Sequence, residues 1–264
     1  MTWQGAGLTD AGQVRPSNQD AYVVANDLQL WIVADGMGGH PGGDVASRSA
    51  VDALAASIRA EARLQKKPGP DVLDPLQCEA ELRSAMADSN QALRDLALQS
   101  PDLAGMGTTV VALRIACGPV AYATVAHVGD SRAYLLRGRT LTPVTKDHSL
   151  VEDYVRVGLL SPEEALIHPL RHVLTRAVGT DPQVEADICT FELEPSDRFL
   201  LCSDGLTKML DDAQIVEILL RADRSQELAC RALIQAANDR GGVDNTTVVV
   251  VTPGASSSEL EGKS

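Results

Sequence analysis

Cysteine is scarce in this sequence of 264 residues, and no two cysteines form a Cys-x-x-Cys pair. The five cysteines are scattered singly along the chain: Cys78, Cys117, Cys189, Cys202 and Cys230. An odd number of isolated cysteines, most of them in apolar surroundings, is typical of reduced, buried thiols. The pattern argues against a disulfide framework and against a zinc site built from cysteine pairs.

Aromatic residues and long apolar runs are also few. Aromatics make up only 3% of a chain that is 44% hydrophobic, so Val, Leu, Ala and Ile must fill the core. No run approaches the roughly 20 apolar residues of a membrane helix. The N-terminal segment lacks a basic stretch followed by an apolar one, which argues against a signal peptide. We therefore expect a cytoplasmic globular protein without a membrane partner.

Positive charge is the third deficit. The chain has 23 Lys and Arg against 36 Asp and Glu, a formal net charge of −13. This balance argues against nucleic acid or an anionic membrane as the main partner. A phosphorylated substrate remains compatible with it, because bound cations can invert the local sign.

The hydrophobic pattern that is present predicts one domain over residues 1–252, made of two packed antiparallel sheets with helices outside each. The first and last strands must meet to close it. Strands are expected at 3–8, 20–26, 28–34, 108–116, 120–128, 132–137, 186–193, 197–204 and 245–252, the three from 108 to 137 as an antiparallel meander. Helices are expected from 42, at 75–99, at 211–222 and at 225–239, with Asp44, Asp74 and Ser225 as N-caps.

Two further segments depart from this regular pattern. Residues 148–182 mix short helical pieces, loops and three prolines, which predicts a partly mobile excursion beside the site. Residues 253–264 are small and polar, which predicts a disordered tail.

Four aspartates are expected at the rims of the core strands. Asp35, Asp130 and Asp204 each follow a hydrophobic strand and neighbour a glycine, and Asp244 precedes the last strand. Any one of them could simply cap a turn. Four together favour metal binding, because burying unpaired carboxylates costs several kcal/mol each. Oxygen ligands select Mg²⁺ or Mn²⁺, and two such ions about 4 Å apart can activate a water for attack on phosphorus.

Arg15 is a candidate for binding the phosphate. It lies in RPSNQD, five residues before Asp20. A guanidinium can bind a phosphate through two parallel hydrogen bonds. The alternative is a surface arginine in a loop, and the spacing alone does not decide between the two.

Taken together, these motifs make the sequence resemble the metal-dependent protein Ser/Thr phosphatases of protein phosphatase 2C type, in their compact bacterial form. The resemblance runs from about residue 5 to 252 and depends on the joint presence and order of several short motifs. The matching stretches are RPSNQD (15–20), VADGMGGH (33–40), GTT (107–109), VGDSR (128–132), SDGL (203–206) and GGVDNTT (241–247).

The resemblance implies an α+β fold, a four-layer α-β-β-α sandwich of two antiparallel sheets flanked by helix pairs, with residues 148–182 as a flap that shapes protein substrate choice. It implies direct attack on phosphorus by a metal-bridging hydroxide, with no phospho-enzyme. By motif match, the resemblance implies a role for each site residue. Asp35 bridges two metals, Gly36 adds its carbonyl, and Asp204 and Asp244 complete the pair. Asp130 with Asp204 holds a third, weaker ion, Asp20 anchors metal-bound water, and Arg15 binds the substrate phosphate.

One position departs from the family pattern. Other branches carry a histidine directly after the Asp-Gly, suggested as the proton donor to the leaving group, whereas this chain has Met37. His40 lies three residues further on and is a candidate replacement; the alternative is a hydrogen-bonded loop histidine.

The expected function is hydrolysis of phosphoserine and phosphothreonine in proteins by a monomer that opposes a cognate Ser/Thr kinase. Two alternatives stay open: a non-catalytic phosphopeptide-binding regulatory module of the same fold, and a small-molecule phosphohydrolase. Intact metal-site aspartates argue against the first. The flap, and the lack of a nucleotide-type glycine loop, argue against the second.

Overall fold

Two antiparallel sheets packed face to face form the centre of the molecule. The computed structural model describes residues 2–37, 42–64, 74–222 and 225–254. The first sheet contains, in spatial order, β1 (Trp3–Asp10), β11 (Thr246–Pro253), β10 (Arg198–Cys202), β7 (Arg132–Arg137) and β8 (Thr140–Pro143). The second contains β2 (Asp20–Ala25), β3 (Leu30–Met37), β5 (Val110–Ala116), β6 (Tyr122–Val128) and β9 (Asp187–Glu192), with the short β4 (Gly107–Thr108) paired to β3.

Helices cover the outer face of each sheet. Two long helices, α1 (Gly42–Leu64) and α2 (Pro75–Gln99), pack on the second sheet, and α6 (Asp212–Arg221) and α7 (Gln226–Asp239) pack on the first. Between the sheets lies an apolar layer that includes the fully buried Trp3, Trp31 and Phe199. This arrangement confirms the predicted four-layer α-β-β-α sandwich.

The chain closes on itself, as the pattern predicted. Strand β1 pairs antiparallel with β11 along its whole length, from Trp3 opposite Pro253 to Asp10 opposite Thr246. The valines of β11 alternate between the inter-sheet core and the layer under α7. This pairing brings the loop after β1 beside the residues that precede β11.

The predicted three-stranded meander is wrong in its last strand. Strands β5 and β6 pair antiparallel, but β7 crosses to the other sheet, where it lies between β10 and β8. Strand β8 was not predicted. The alternation of apolar residues is the same in either sheet, so it does not indicate which partner a strand will take.

The helix starts agree with the predictions, but the predicted N-cap of α1, Asp44, is wrong. Asp74 accepts a hydrogen bond from the Leu76 amide at 3.0 Å, and Ser225 accepts one from the Leu228 amide at 3.3 Å, so both are N-caps. Helix α1 begins at Gly42, which places Asp44 inside its first turn rather than at the cap. Acidic residues are favoured at both places, so residue type alone did not separate them.

Residues 148–182 form short helical pieces joined by loops, as expected: α3 (Leu150–Arg156) and α4 (Pro162–Ile167). We call this segment the flap. Of the predicted tail at 253–264, Pro253 belongs to β11, and the residues from 255 onward lie outside the described residues. Across the described ranges, we find no helix with the length and apolarity that a membrane crossing requires.

The cysteines are all free thiols, but they are not all buried. Cys78, Cys202 and Cys230 are buried, Cys117 is half-buried and Cys189 is exposed. The expectation of uniformly buried thiols is therefore wrong for the last two. Cys189 lies on β9, the edge strand of the second sheet.

Candidate active site

Two of the predicted site residues face each other across neighbouring strands. The antiparallel register of β2 and β3 places Asp20 directly opposite Asp35. Like charges in this position repel. Burial and the negative charge of Asp20 raise the pKa of Asp35 well above its usual range, and Asp204, Asp130 and Asp244 raise it further. Strand β3 continues past Asp35 to Met37, because Gly36 and Met37 pair with β4.

Asp20 is buried behind the rim and holds the two sheets together. Its Oδ2 accepts hydrogen bonds from the hydroxyls of Ser203 and Thr247, each at 2.7 Å. Its Oδ1 has no partner among the described residues. Burial raises the pKa of Asp20 to about 6, although the two hydroxyls act in the opposite direction. The carboxylate thus keeps one oxygen available for a further ligand.

Asp130 lies in the turn that carries the chain from one sheet to the other. The preceding Gly129 has a φ of +100°, a conformation that side chains rarely adopt. His148 holds this glycine, since its Nδ1 accepts from the Gly129 amide at 3.2 Å and its own amide donates to the Gly129 carbonyl at 3.0 Å. Burial and the charge of Asp204 raise the pKa of Asp130 to about 7.

Asp204 and Asp244 come together through a lysine that lies between them. Asp204 begins the short helix α5 (Asp204–Thr207) two residues after β10 rather than ending the strand. Lys208 Nζ lies 2.5 Å from Asp204 Oδ2 and 2.8 Å from Asp244 Oδ2. Asp204 Oδ1 has no partner within the described part of the chain.

Arg15 forms an ion pair with both oxygens of Asp244. Its Nε lies 2.8 Å from Asp244 Oδ1, and its Nη2 lies 3.1 Å from Oδ2. The arginine side chain is 53% exposed, so the guanidinium stays accessible from solvent. Burial opposes the charge of Asp244, but hydrogen bonds from Lys208 and Arg15 outweigh it and lower its pKa. Arg15 therefore lies at the site, where its guanidinium binds the Asp244 carboxylate.

Most of the predicted residues line one open cleft of about 1780 Å³, whose far wall is the flap. The predicted residues on its surface are Arg15, Asp35, Gly36, Asp130, Asp204 and Asp244. Gly36 is tightly enclosed: a Cβ there would collide with the Gly43 carbonyl oxygen, so only glycine fits. His40, the candidate proton donor, lies outside the described residues.

Sequence reasoning missed the residues that hold the site together. Asn245 donates from its side chain to the carbonyls of Ala11 and Ser17 and accepts from the Gln19 amide, which fixes the loop that carries Arg15. Lys208 was missed as well. Its spacing of four residues from Asp204 was the one available signal, since such pairs meet on a helix.

A second group of possible metal ligands lies beside the cleft. Among the described residues, His127, His148 and Asp187 offer ligand atoms within 4.8 Å of one another. His148 Nδ1 accepts from an amide, so its proton is on Nε2 and points to Asp187 Oδ2 at 3.3 Å. Arg176 also binds Asp187, at 2.6 Å. Hydrogen bonds and the Arg176 guanidinium already satisfy this group, and a metal would have to displace both.

The cluster at the cleft has the opposite character, and it fits a pair of hard divalent cations. Its side-chain donors are all carboxylate oxygens, which Mn²⁺ and Mg²⁺ accept. Oδ1 of Asp20 and of Asp204 is buried without a partner in the described ranges. Burial, together with the charges of neighbouring aspartates, raises the pKa values of three of the carboxyl groups, those of Asp20, Asp35 and Asp130. Bound cations would relieve each of these deficits.

Comparisons with known proteins cover nearly the whole chain. The sequence profile of the protein phosphatase 2C family matches residues 13–230. The serine/threonine phosphatase stp of Listeria welshimeri is 39% identical over 246 residues, which are 92% of this chain and 93% of that protein.

Solved structures extend the likeness to the fold. The Mycobacterium tuberculosis serine/threonine phosphatase PstP/Ppp matches with a TM-score of 0.83 at 37% identity, covering 97% of this chain and 100% of the other. The catalytic domain of PstP in complex with two manganese ions matches with a TM-score of 0.79 at 36% identity, covering 95% and 98%. The similarity thus includes a structure that contains manganese.

Proposed function

Because this chain belongs to the protein phosphatase 2C family, we propose that its cleft hydrolyses phosphoserine and phosphothreonine monoesters in proteins, with Mn²⁺ or Mg²⁺ as cofactor. One observation carries the proposal above all: Asp35, Asp204 and Asp244, far apart in sequence, converge on one cleft beside Arg15. Repulsion among the carboxylates and the unpartnered oxygens support a cation site there.

For the residues that line the cleft we propose the ligand roles that the family resemblance implies. Asp35, the carbonyl of Gly36, Asp204 and Asp244 would hold two ions, and Asp130 with Asp204 would hold a third, weaker one. The ions supply an activated water as nucleophile and neutralise the charge that develops on the phosphoryl oxygens. Asp20 would bind metal-coordinated water through its unpartnered oxygen, and its hydroxyl partners fix its orientation.

Arg15 would bind the phosphate of the substrate. Its guanidinium has five donors in a fixed fork, of which Asp244 uses two sites. When cations bind Asp244, the Arg15 guanidinium becomes available to a phosphate. It can bind the phosphate through two parallel hydrogen bonds. Protonation of the leaving alkoxide remains a prediction for His40.

The flap favours a polypeptide substrate over a small metabolite. Val155, Leu166 and Ile167 line the cleft beyond the carboxylates, and the last two are 74% and 79% exposed. Residues that flank a phosphoserine in a polypeptide would contact this apolar wall, which favours a protein substrate. We further propose a monomer, opposed by a Ser/Thr kinase. A cytoplasmic location is supported by the five free thiols, which persist in reducing compartments.

The proposal is tested by hydrolysis of p-nitrophenyl phosphate and of a phosphothreonine peptide, with and without Mn²⁺. Activity should require the metal and should vanish in Asp204→Ala and in Asp244→Ala. Asp52→Ala is the matched control, because Asp52 is an exposed aspartate on α1 away from the cleft. It should retain full activity.

Three results would contradict the proposal. Full activity in excess chelator would exclude the metal mechanism. Tight binding of the phosphopeptide without turnover would point to a non-catalytic binding module. Faster turnover on phosphorylated metabolites than on phosphopeptides would point to a small-molecule phosphohydrolase.

A further inference from the structure

Lys208 lies between two of the proposed metal ligands. Its Nζ is 2.5 Å from Asp204 Oδ2 and 2.8 Å from Asp244 Oδ2, so one ammonium bridges two carboxylates. Its backbone is fixed at the end of α5, where the Lys208 amide donates to the Asp204 carbonyl at 2.9 Å. The side chain therefore reaches back onto the carboxylate one helical turn earlier. The ammonium occupies the electrostatic position that a cation between these ligands would take.

The lysine and a metal ion would compete for these oxygens. Two cations within a few ångströms of each other repel strongly in a partly buried site. Asp244 has little spare capacity, since Arg15 binds both of its oxygens and Lys208 binds one of them. Binding of a divalent ion to Asp244 therefore requires at least one of these side chains to move.

Lys208 can leave the two carboxylates by a movement of its side chain. Its side chain is 25% exposed and lines the cleft, and its four-carbon stem is flexible, so the movement is open to it.

We propose that Lys208 is an internal cation that competes with the divalent metal for Asp204 and Asp244, and that metal binding displaces its ammonium into the cleft. This inference rests on the proposed function, since it requires the metal pair. Without metal, Lys208 neutralises two of the clustered carboxylates and stabilises the fold. With metal, the same interaction must be given up, which weakens the apparent affinity for the ion.

The proposal predicts two effects of opposite sign. Lys208→Gln should bind Mn²⁺ more tightly, by roughly 5- to 150-fold, the usual range of coupling between two ligands of one protein. The same variant should have a lower Tm than the wild type in the absence of metal, because its carboxylates lose their cation. A lysine that only supports the local structure would predict unchanged or weaker Mn²⁺ binding on substitution.

The experiment is titration of Mn²⁺ by calorimetry, with free Mn²⁺ followed by electron paramagnetic resonance, on four proteins. These are the wild type, Lys208→Gln, Lys208→Arg and Lys146→Gln. Lys208→Arg keeps the charge and should bind Mn²⁺ within a few-fold of the wild type. Lys146→Gln removes an exposed lysine and changes the net charge equally, so it controls for long-range attraction.

Equal affinity in the wild type and in Lys208→Gln would overturn the inference, as would an equal gain in Lys146→Gln. A wild type that binds no Mn²⁺ would instead overturn the proposed metal centre itself. Should Lys208→Gln be unfolded without metal, both proteins are titrated in a stabilising osmolyte that favours the folded state. An unchanged or weaker affinity of Lys208→Gln for Mn²⁺ under these conditions would overturn the inference.

Discussion

Two places in this fold bury charged side chains, and they do so in opposite ways. Under helix α2, Arg114 of β5 and Glu81 form an ion pair with an N···O distance of 2.9 Å and side chains only 3% and 6% exposed. At the rim between the sheets, burial and the charges of neighbouring aspartates raise the pKa values of Asp20, Asp35 and Asp130. The first place is electrically balanced, whereas the second accumulates charge of one sign.

The difference shows where this fold places chemistry. A balanced buried pair has its charges satisfied within the protein, so it contributes to packing and offers little to a ligand. A cluster of like charges is unfavourable by itself and gains most when cations arrive. The same property that makes the cluster costly to the metal-free fold makes it selective for divalent ions. Three experiments separate these two kinds of burial.

Asp35→Asn should give the largest effect, because it removes the carboxylate that couples to all the others. We expect kcat/KM for a phosphopeptide to fall by about 10³-fold or more, which corresponds to about 4 kcal/mol of transition-state stabilisation. The Tm of the metal-free protein should rise at the same time, since one repelling charge is gone. Steady-state kinetics test the expected fall in kcat/KM, and calorimetry tests the expected rise in the metal-free Tm. A fall in both activity and metal-free Tm would contradict the contrast between the balanced ion pair and the carboxylate cluster.

Arg114→Met should give the reverse pattern. It leaves the Glu81 carboxylate buried without its opposite charge, which costs roughly 3–5 kcal/mol. For a chain of this size the Tm should fall by about 10 °C. Mn²⁺-dependent turnover well below the Tm should stay within about two-fold of the wild type. The double variant Glu81→Gln, Arg114→Met should recover part of the loss, and no recovery would mean that packing, not charge, explains it.

The pH dependence of stability should give the smallest effect. The folded-state pKa of Asp130 is raised to about 7 from an ordinary value of 3.8, so the folded protein binds this proton more tightly. The resulting stabilisation is complete below about pH 4 and is lost as the pH rises towards 7. The Tm difference between Asp130→Asn and the metal-free wild type should therefore grow by a few °C between pH 5 and pH 8, about 2–4 °C for each kcal/mol.

A difference measurement is needed because other groups titrate in this range. Burial lowers the pKa values of His127 and His148, which gives the opposite slope, but both histidines are present in both proteins and cancel. Saturating Mn²⁺ should abolish the pH dependence of the difference. A difference that stays constant from pH 5 to pH 8 would mean that Asp130 is ionised throughout.

The sequence allowed the aspartates to be placed near the sheet rims, but it did not predict the connections between the strands. An aspartate beside glycine near the end or the start of a core strand lies close to a sheet rim whatever the strand order, so Asp35, Asp130, Asp204 and Asp244 could be found without knowing the topology. The exact strand ends could not, since β3 continues past Asp35 and Asp204 begins α5. The sheet to which β7 belongs could not be found, because alternation is the same in both. Hydrogen-bond partners that depend on topology, such as His148 and Gly129, could not be predicted for the same reason.

Lys208 shows a different limit. Its distance of four residues from Asp204 was visible, but α5 is only four residues long and lacks the periodicity that predicts a helix. Its second partner, Asp244, is 36 residues away and reaches it only through the strand pairing of β10 with β11. The position of the Lys208 ammonium between Asp204 and Asp244 is therefore a property of the folded chain.

The pairing of β1 with β11 has a consequence for how the protein is made. The loop after β1 carries Arg15, Asp20 opens the next strand, and Thr247 of β11 supplies one of the hydroxyls that orient Asp20. Translation must therefore deliver the polypeptide to about residue 253 before these parts can assemble. A nascent chain on the ribosome therefore cannot dephosphorylate other proteins until synthesis has passed about residue 253.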